Sequence, residues 1–182
     1  TAAIIDQVAQ EAGVSKGSVY NYFRSKQDLF MEVFADALAP AGAVLEDLLN
    51  EPIPAAEKLR RYLEYWFEHT EEYKRIGALI LESWATVARQ EDPQGMSRAC
   101  NEVYLVWLQR FARLAEQGVA DGDFRPGVSP EAAAALIIGT LDGLLVHAVM
   151  DVGVIFDRPF IEALKRGLLL GLRGESVENG SQ

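Results

Sequence analysis

Residues 8–23 read VAQEAGVSKGSVYNYF, and this stretch decides how the N-terminal part of the chain folds. Gly13 stands between two helical segments and can adopt the positive φ that a tight turn demands. Ala9 is small where the two helices would cross, and Val19 supplies apolar contact from the second helix. Ser15 is placed to cap this second helix through its side-chain oxygen. The stretch therefore predicts two short helices joined by a tight turn.

The outward face of the second short helix has an unusual composition. It carries a cation, a glycine, hydroxyl groups and an amide, contributed by Lys16, Gly17, Ser18, Tyr20, Asn21 and Tyr22. Such groups bond the phosphates and base edges of DNA, and the glycine leaves room for close approach. No acidic residue occurs in 15–26, although the whole chain has a formal charge of -10. The local charge therefore permits a nucleic-acid contact that the overall composition opposes.

The rest of the sequence predicts helices throughout and no strand. Apolar residues recur at helical spacing, as in Leu59, Leu63 and Trp66. Ser25 and Ser129 precede such runs as caps. We therefore predict an all-α fold with helices near residues 3–11, 16–22, 26–49, 55–71, 73–90, 94–120, 130–151 and 158–173, the third of them kinked at Pro40.

The composition is that of a folded, soluble protein. Hydrophobic residues make up 49% and charged residues 24% of the 182 residues, which is near the average for this class. Cys100 is the only cysteine, so no internal disulfide forms, and we expect the reducing cytoplasm. The apolar run 132–150 approaches the length of a membrane span, but Asp142 and His147 interrupt it. We expect a buried helix there and no membrane contact.

The order of motifs in residues 12–30 resembles the DNA-binding signature of tetracycline-repressor (TetR) family regulators. The resemblance rests on AGVSKGSVYNYF at 12–23, followed by Ser25-Lys26 and Leu29-Phe30. It implies DNA contacts at Ser15, Lys16, Gly17, Ser18, Tyr20, Asn21, Tyr22 and Lys26. Lys26 has a further reason to bind phosphate, because the free N–H groups at the start of a helix attract anions. The family also has a preceding helix, so we expect the sequence to be trimmed at its N-terminus.

For the rest of the chain, the resemblance implies a helical domain that binds an effector and dimerises through its last two helices. We expect a helix-turn-helix domain with the start of a linking helix at 1–40, an effector-binding and dimerisation domain at 41–174, and a disordered tail at 175–182. The implied protein is a bacterial, cytoplasmic, homodimeric repressor that binds a palindromic DNA operator and is released by a small molecule. Two recognition helices must reach major grooves about 34 Å apart, which requires a dimer.

Candidate effector contacts are aromatic and polar side chains of the predicted helices. They are Trp66, Glu82, Trp84, Asn101, Tyr104, Leu108, Phe111 and His147. Aromatic rings beside a carboxylate would suit a cationic ligand, whereas a purely apolar pocket fits the sequence equally well. For Asp142 we expect a role at a helix end or in a dimer contact.

Two glycine pairs, Gly139 with Gly143 and Gly167 with Gly171, are each four residues apart in an apolar helix. Glycine costs a helix about 1 kcal/mol relative to alanine, so these positions need a reason. We expect the close approach of a helix from a second subunit. Tight packing within one chain is the alternative.

Two other classes of function stay open at this point. An enzyme would need catalytic groups, but the chain has only two histidines, His69 and His147, and one cysteine. No metal-binding, nucleophile-elbow or phosphate-loop motif occurs, so we expect no enzyme, no metal and no cofactor. The second alternative is a helical small-molecule-binding or interaction module without DNA binding. The chemistry of residues 15–26 speaks against it.

Overall fold

The computed structural model describes Ala9 and residues 13–23, 25–89, 96–152 and 156–173. These residues form helices joined by short loops, and no strand occurs among them, which confirms the predicted all-α fold. The helices are α1 Lys16–Tyr22, α2 Lys26–Asn50, α3 Ala55–Glu68, α4 Thr70–Ala88, α5 Met96–Ala120, α6 Pro130–Met150 and α7 Arg158–Arg173. The predicted helix at 3–11, apart from the helical Ala9, and the predicted tail at 175–182 lie outside the described residues.

Local capping explains where the helices begin. The side chain of Ser25 accepts a hydrogen bond from the N–H of Asp28 at 3.0 Å, at the start of α2. Ser129 does the same for the N–H of Ala132 at 3.2 Å, at the start of α6. Each hydroxyl satisfies a backbone donor that the first turn of a helix leaves free. Both serines are start signals that can be read from the sequence.

The boundary between α3 and α4 differs from the prediction. The periodicity places it at Glu72, whereas the chain turns at His69. The Nδ1 atom of His69 lies 2.8 Å from the carbonyl oxygen of Tyr65, and the Thr70 hydroxyl donates to the carbonyl of Phe67 at 3.0 Å. Polar side chains of the turn thus satisfy the end of α3. The spacing of apolar residues does not predict this helix end, because polar side chains form it.

The long helix α2 belongs to two apolar cores. Near its start, Leu29 is buried with Ala9 and Val19 in a small N-terminal core, whereas Phe34 is already part of the larger core. Pro40 is exposed within α2, where its ring removes one backbone donor, and the helix continues past it to Asn50. One continuous helix therefore connects the small N-terminal core to the larger core.

The larger core is formed by α2 to α7 and the loop after α5. Its fully buried side chains include Leu45, Leu59, Leu63, Phe111, Leu114, Phe124 and Ile137. Each large apolar side chain buried in this way contributes about 1.5–3 kcal/mol relative to exposure. Lys58 is buried as well, and its ammonium donates to the carbonyl of Leu49 and to the side chain of Gln117, both at 2.9 Å. This lysine ties α3 to the ends of α2 and α5.

The helix α6 is long and apolar enough to cross a membrane, judged by length and composition alone. In this fold its buried residues are Ala133, Ala134, Ile137, Leu141, Leu144 and Leu145. Through them it packs against α4 and α5. A core helix of a helical protein passes the same test of length and composition. Its apolar sequence is therefore explained by burial in the larger core.

Candidate DNA-binding surface and effector cavity

The turn before α1 sets the position of this helix. Gly13 has a φ of 66°, a left-handed conformation that glycine adopts without strain. The N–H of Val14 donates to the carbonyl of Ala9 at 2.9 Å and closes the turn. Behind it, Ala9, Val19 and Leu29 are buried against one another. The apolar side of α1 is thus held, and its opposite side faces outward.

The outward side of α1 is polar and aromatic. Tyr22 is 84% exposed and Tyr20 is 50% exposed, and the neighbouring Asn21 is exposed too. Their hydroxyl and amide groups can donate to phosphates and to base edges. The predicted contacts that the structure brings together on this surface are Gly17, Tyr20, Asn21 and Tyr22.

At Gly17 the described residues leave room for a side chain. A Cβ atom at this position would meet, among the described residues, only the Oγ of Ser15, at an ordinary contact distance of 3.6 Å. Its backbone is helical and does not adopt a positive φ. The absence of a side chain therefore leaves the backbone of α1 accessible from outside at this position.

The remaining predicted DNA contacts have other placements. The Oγ of Ser15 accepts a hydrogen bond from the N–H of Ser18 at 3.0 Å and lies 2.8 Å from the Oγ of Ser18. Ser15 therefore caps α1, as predicted, and Ser18 is half-buried beside it. Lys16 and Lys26 are the first residues of α1 and α2, and their side chains lie outside the described part of the structure.

A cavity of about 90 Å³ lies inside the larger core, between α2, α3, α4, α5 and α6. Aromatic rings form much of its wall. Tyr62 and Phe111 meet edge to face with ring centres 5.2 Å apart, and Trp66 stacks on Tyr73 at 5.8 Å. Such a wall accepts an apolar or cationic organic molecule.

The cavity also contains a buried polar pair. The hydroxyl of Tyr104 on α5 donates to Oδ2 of Asp142 on α6 at 3.0 Å. Burial raises the pKa of Asp142 to about 6, and the hydrogen bond from Tyr104 works in the opposite direction. Burial and the neighbouring carboxylate raise the pKa of Tyr104 well above its usual range. At neutral pH the pair is therefore a carboxylate held by a neutral phenol.

Only some of the residues predicted to contact the effector line the cavity. Trp66, Tyr104 and Phe111 line the cavity. Trp84 and Leu108 pack against the larger core but do not line the cavity. The Trp84 side chain forms a hydrogen bond with Tyr104. Asn101 and His147 are exposed and lie away from the cavity, and the side chain of Glu82 is outside the described residues.

Sequence reasoning missed several residues of the cavity wall. They include Phe34, Leu38 and Ala41 of α2, and Tyr62, Tyr73, Ile80, Val103, Trp107, Ile138, Leu141, Asp142 and Leu145 of the other helices. The spacing of residues 34, 38 and 41 on one helical face was an available signal. For Asp142 the sequence holds no such signal, because its hydrogen-bond partner Tyr104 is 38 residues away. Asp142 lies in the cavity, in the interior of α6 and not at the helix end that the sequence suggests, and its role in a dimer contact stays a prediction.

The four glycines of α6 and α7 face open space. Apart from the chain neighbours and backbone of the same helix, no described atom lies within 4 Å of a Cβ placed at any of these positions, which are Gly139, Gly143, Gly167 and Gly171. Leu136 and Leu170, on the same outward sides, are 50% and 51% exposed. Packing within the described chain therefore does not explain these glycines.

Comparisons with known proteins agree with this arrangement. The family described as bacterial regulatory proteins, tetR family, matches residues 2–33, and the family described as BetI-type transcriptional repressor, C-terminal, matches residues 55–169, more than half of the chain. The fatty acid metabolism regulator protein of Bacillus subtilis is 23% identical over 147 residues, which are 81% of this chain and 73% of that protein. The HTH-type transcriptional repressor KstR2 of Mycolicibacterium smegmatis is 29% identical over 128 residues, covering 69% of this chain and 59% of the repressor.

A solved structure shares the fold. The transcriptional regulator FadR from Bacillus subtilis, in complex with stearoyl-CoA, matches with a TM-score of 0.66 and 22% identity, covering 94% of this chain and 88% of that chain. These relatives are transcriptional regulators, which confirms the prediction of a regulator and not an enzyme. The chain belongs to the TetR family and is a ligand-responsive, DNA-binding transcriptional regulator.

Proposed function

We propose that the protein is a cytoplasmic, homodimeric repressor that occupies a palindromic operator and leaves it when a small molecule enters the cavity. The observation that carries the proposal is the exposed polar face of α1, anchored to a helix that also lines the cavity. A relative named as a transcriptional repressor supports repression rather than activation.

The DNA contacts belong to the α1 surface and the start of α2. They comprise Ser15, Lys16, Gly17, Ser18, Tyr20, Asn21, Tyr22 and Lys26. The exposed side chains at Tyr20, Asn21 and Tyr22 and the bare backbone at Gly17 support this assignment. The DNA-binding domain spans 1–40 and the effector-binding domain spans 41–174, with α2 shared across the boundary.

The second subunit covers the outward sides of α6 and α7. Each side combines exposed leucine with glycine, as in Leu136 with Gly139 and Leu170 with Gly171. Glycine lets the backbone of a neighbouring helix come close, and burial of the leucines supplies apolar contact. Two chains joined there would place two α1 helices in successive major grooves.

The link between effector and DNA is α2. Its residues Phe34, Leu38 and Ala41 line the cavity, and Leu29 on the same helix is buried against Val19 of α1. A ligand that pushes on the cavity wall moves α2 and carries α1 with it, which changes the spacing of the two recognition helices. Coupling of this kind typically changes affinity by about 1–3 kcal/mol.

The cavity indicates an organic effector of small to moderate size. The FadR relative was solved with stearoyl-CoA, and the apolar part of such a molecule is compatible with aromatic and aliphatic walls. A long acyl chain exceeds a cavity of about 90 Å³, so a ligand of that size would enter only with movement of the lining helices.

The proposal is tested by selecting bound duplexes from a random DNA pool with the intact protein. We expect a palindromic consensus that is lost in the Tyr22→Ala variant and kept in Leu105→Ala, a control that truncates another exposed side chain far along the sequence. A pool without enrichment, or enrichment that ignores Tyr22→Ala, would refute the proposed repressor.

A further inference from the structure

We infer that Arg110 of α5 is a positioning residue for DNA binding, because it fixes α2 and, through α2, the position of α1. The inference rests on the proposed function, since it names the side chain that holds the connecting helix of that regulator. Its guanidinium packs on Gly42 and pairs with Glu46, both on α2, and these three residues form the Arg110 clamp.

Gly42 leaves the space that the guanidinium occupies. This glycine is buried in α2, and a Cβ atom placed there would lie 2.7 Å from Nη1 of Arg110, closer than real Cβ contacts allow. Apart from the chain neighbours and the backbone of α2, the three nearest described atoms all belong to this guanidinium. Glycine in a helix interior is less stable than alanine. Close packing against Arg110 therefore gives a reason for glycine at this position.

Opposite charges hold α5 against α2 at the same place. The Nε atom of Arg110 lies 3.6 Å from Oε2 of Glu46, and Nη1 of Arg113 lies 2.9 Å from Oε1 of the same carboxylate. The Arg110 side chain is 28% exposed, whereas Arg98, which pairs with Glu102 within α5, is 86% exposed. Water and salt therefore screen the pair between the helices less than the pair within α5.

The guanidinium also contacts the wall of the cavity. It lies over the ring of Trp107, 5.4 Å from the ring centre, where a cation is attracted to an aromatic face. Trp107 lines the cavity and stacks on Phe111, another lining residue, with ring centres 6.2 Å apart. A ligand that displaces Trp107 therefore disturbs the Arg110 clamp.

The place of the Arg110 clamp on α2 determines its effect on α1. Leu29, which is buried against Val19 of α1, lies about 20 Å from Gly42 along the helix. A rotation of α2 by about 5° at Gly42 thus shifts the Leu29 end by about 2 Å. Pro40 removes a backbone hydrogen bond in the turn before Gly42 and weakens α2 there. Without Arg110, α2 adopts several orientations, and only the fraction that places α1 correctly binds the operator.

Operator binding by the intact protein tests the inference without an effector. The probe is a duplex from the selection experiment, and fluorescence anisotropy at constant salt measures its affinity. We expect Arg110→Gln to weaken binding at least about fivefold relative to Arg98→Gln, which removes the same charge from α5 but leaves the Arg110 clamp intact. Circular dichroism checks that both variants are folded at the temperature of the measurement.

Gly42→Ala is a second test, in which no charge changes. Its methyl group would displace the guanidinium, so we expect operator binding to weaken to a similar extent although alanine favours the helix. In the Arg110→Gln background the same substitution should change affinity by less than about twofold, because the atoms that the methyl group would meet are gone.

The outcomes separate the inference from the function on which it rests. Equal affinities of Arg110→Gln and Arg98→Gln, or tighter binding by Arg110→Gln, would overturn the positioning role and leave the repressor in place. A loss on Gly42→Ala that is equally large in both backgrounds would overturn it too, because the methyl group would then act without Arg110. If the unsubstituted protein selects no duplex, the repressor itself is refuted, and the role of Arg110 in DNA binding is refuted with it.

Discussion

The ionisation of Asp142 makes the stability of the protein depend on pH. An aspartate carboxyl has an ordinary pKa of 3.8, and burial in the cavity raises it to about 6. Between these pH values the folded state binds more protons than the unfolded state, so the free energy of unfolding decreases as pH rises from about 4 to about 6. Above that range the loss is complete. The protein thus keeps a group that lowers its stability at neutral pH, as functional sites often do.

We therefore predict that Asp142→Asn stabilises the protein at neutral pH. The gain should be about 2–3 kcal/mol at pH 7 and should vanish near pH 4, because asparagine does not ionise. Urea unfolding at both pH values measures it, with Glu116→Gln as the control. A gain of equal size at both pH values would show that the effect does not come from ionisation.

Two glycines of the N-terminal region should respond oppositely to alanine. Gly17 has space for a methyl group, so Gly17→Ala should raise the free energy of unfolding by up to about 1 kcal/mol. Gly13 has a positive φ, so Gly13→Ala should lower it by about 1–2 kcal/mol.

Gly17→Ala should also change the affinity of the protein for DNA. The added methyl group would stand between α1 and the DNA backbone, so we expect Gly17→Ala to weaken operator binding by about tenfold or more while the fold gains stability. Fluorescence anisotropy with a selected duplex measures the affinity. Unchanged binding would mean that the DNA does not approach this part of α1.

At the scale of residues, local chemistry was readable from the sequence and tertiary chemistry was not. The cap of Ser15 and the turn at Gly13 depend on neighbours within a few positions, and both were predicted. The Tyr104–Asp142 pair depends on how α5 meets α6, which a linear sequence does not reveal. The exposed placement of His147 and Asn101 has the same cause, since helical spacing alone does not say which side faces the core.

At the scale of elements, the helices were predictable because serine caps, prolines and apolar spacing each act within a turn or two. Most observed ends lie within a few residues of the predicted ones. The exception at His69 arises from side chains that bond to carbonyls of the preceding turn. The double role of α2 was harder to foresee, because its cavity face is completed by residues from four other helices.

The outward sides of α6 and α7 are the predicted dimer interface, and a charge placed there should separate the two subunits. Leu136→Glu places a charge where the second subunit is expected, and half of the leucine surface is already in water. The isolated chain should therefore keep its stability within about 0.5 kcal/mol. Light scattering should change from a dimer mass to a monomer mass, with operator binding lost. A dimer that survives Leu136→Glu would place the interface elsewhere.

For the molecule as a whole, the distribution of charge decides whether an acidic chain can bind DNA. Residues 1–30 carry equal numbers of acidic and basic side chains, so the net charge of -10 falls entirely on the rest. Within 15–26 the bases are Lys16, Arg24 and Lys26. Two chains that use all three would neutralise six phosphates, and the logarithm of affinity should fall with that of salt with a slope of about -5. A slope near zero, measured by anisotropy, would be incompatible with this contact.

Two chains on one operator, each bound through its α1 surface, would be detected by native mass spectrometry of the protein on a selected duplex. We expect two chains on each palindrome, half-sites about one helical turn apart, and loss of the complex in Tyr22→Ala. A complex with one chain that saturates a single half-site, or one that forms equally well with Tyr22→Ala, would contradict this expectation.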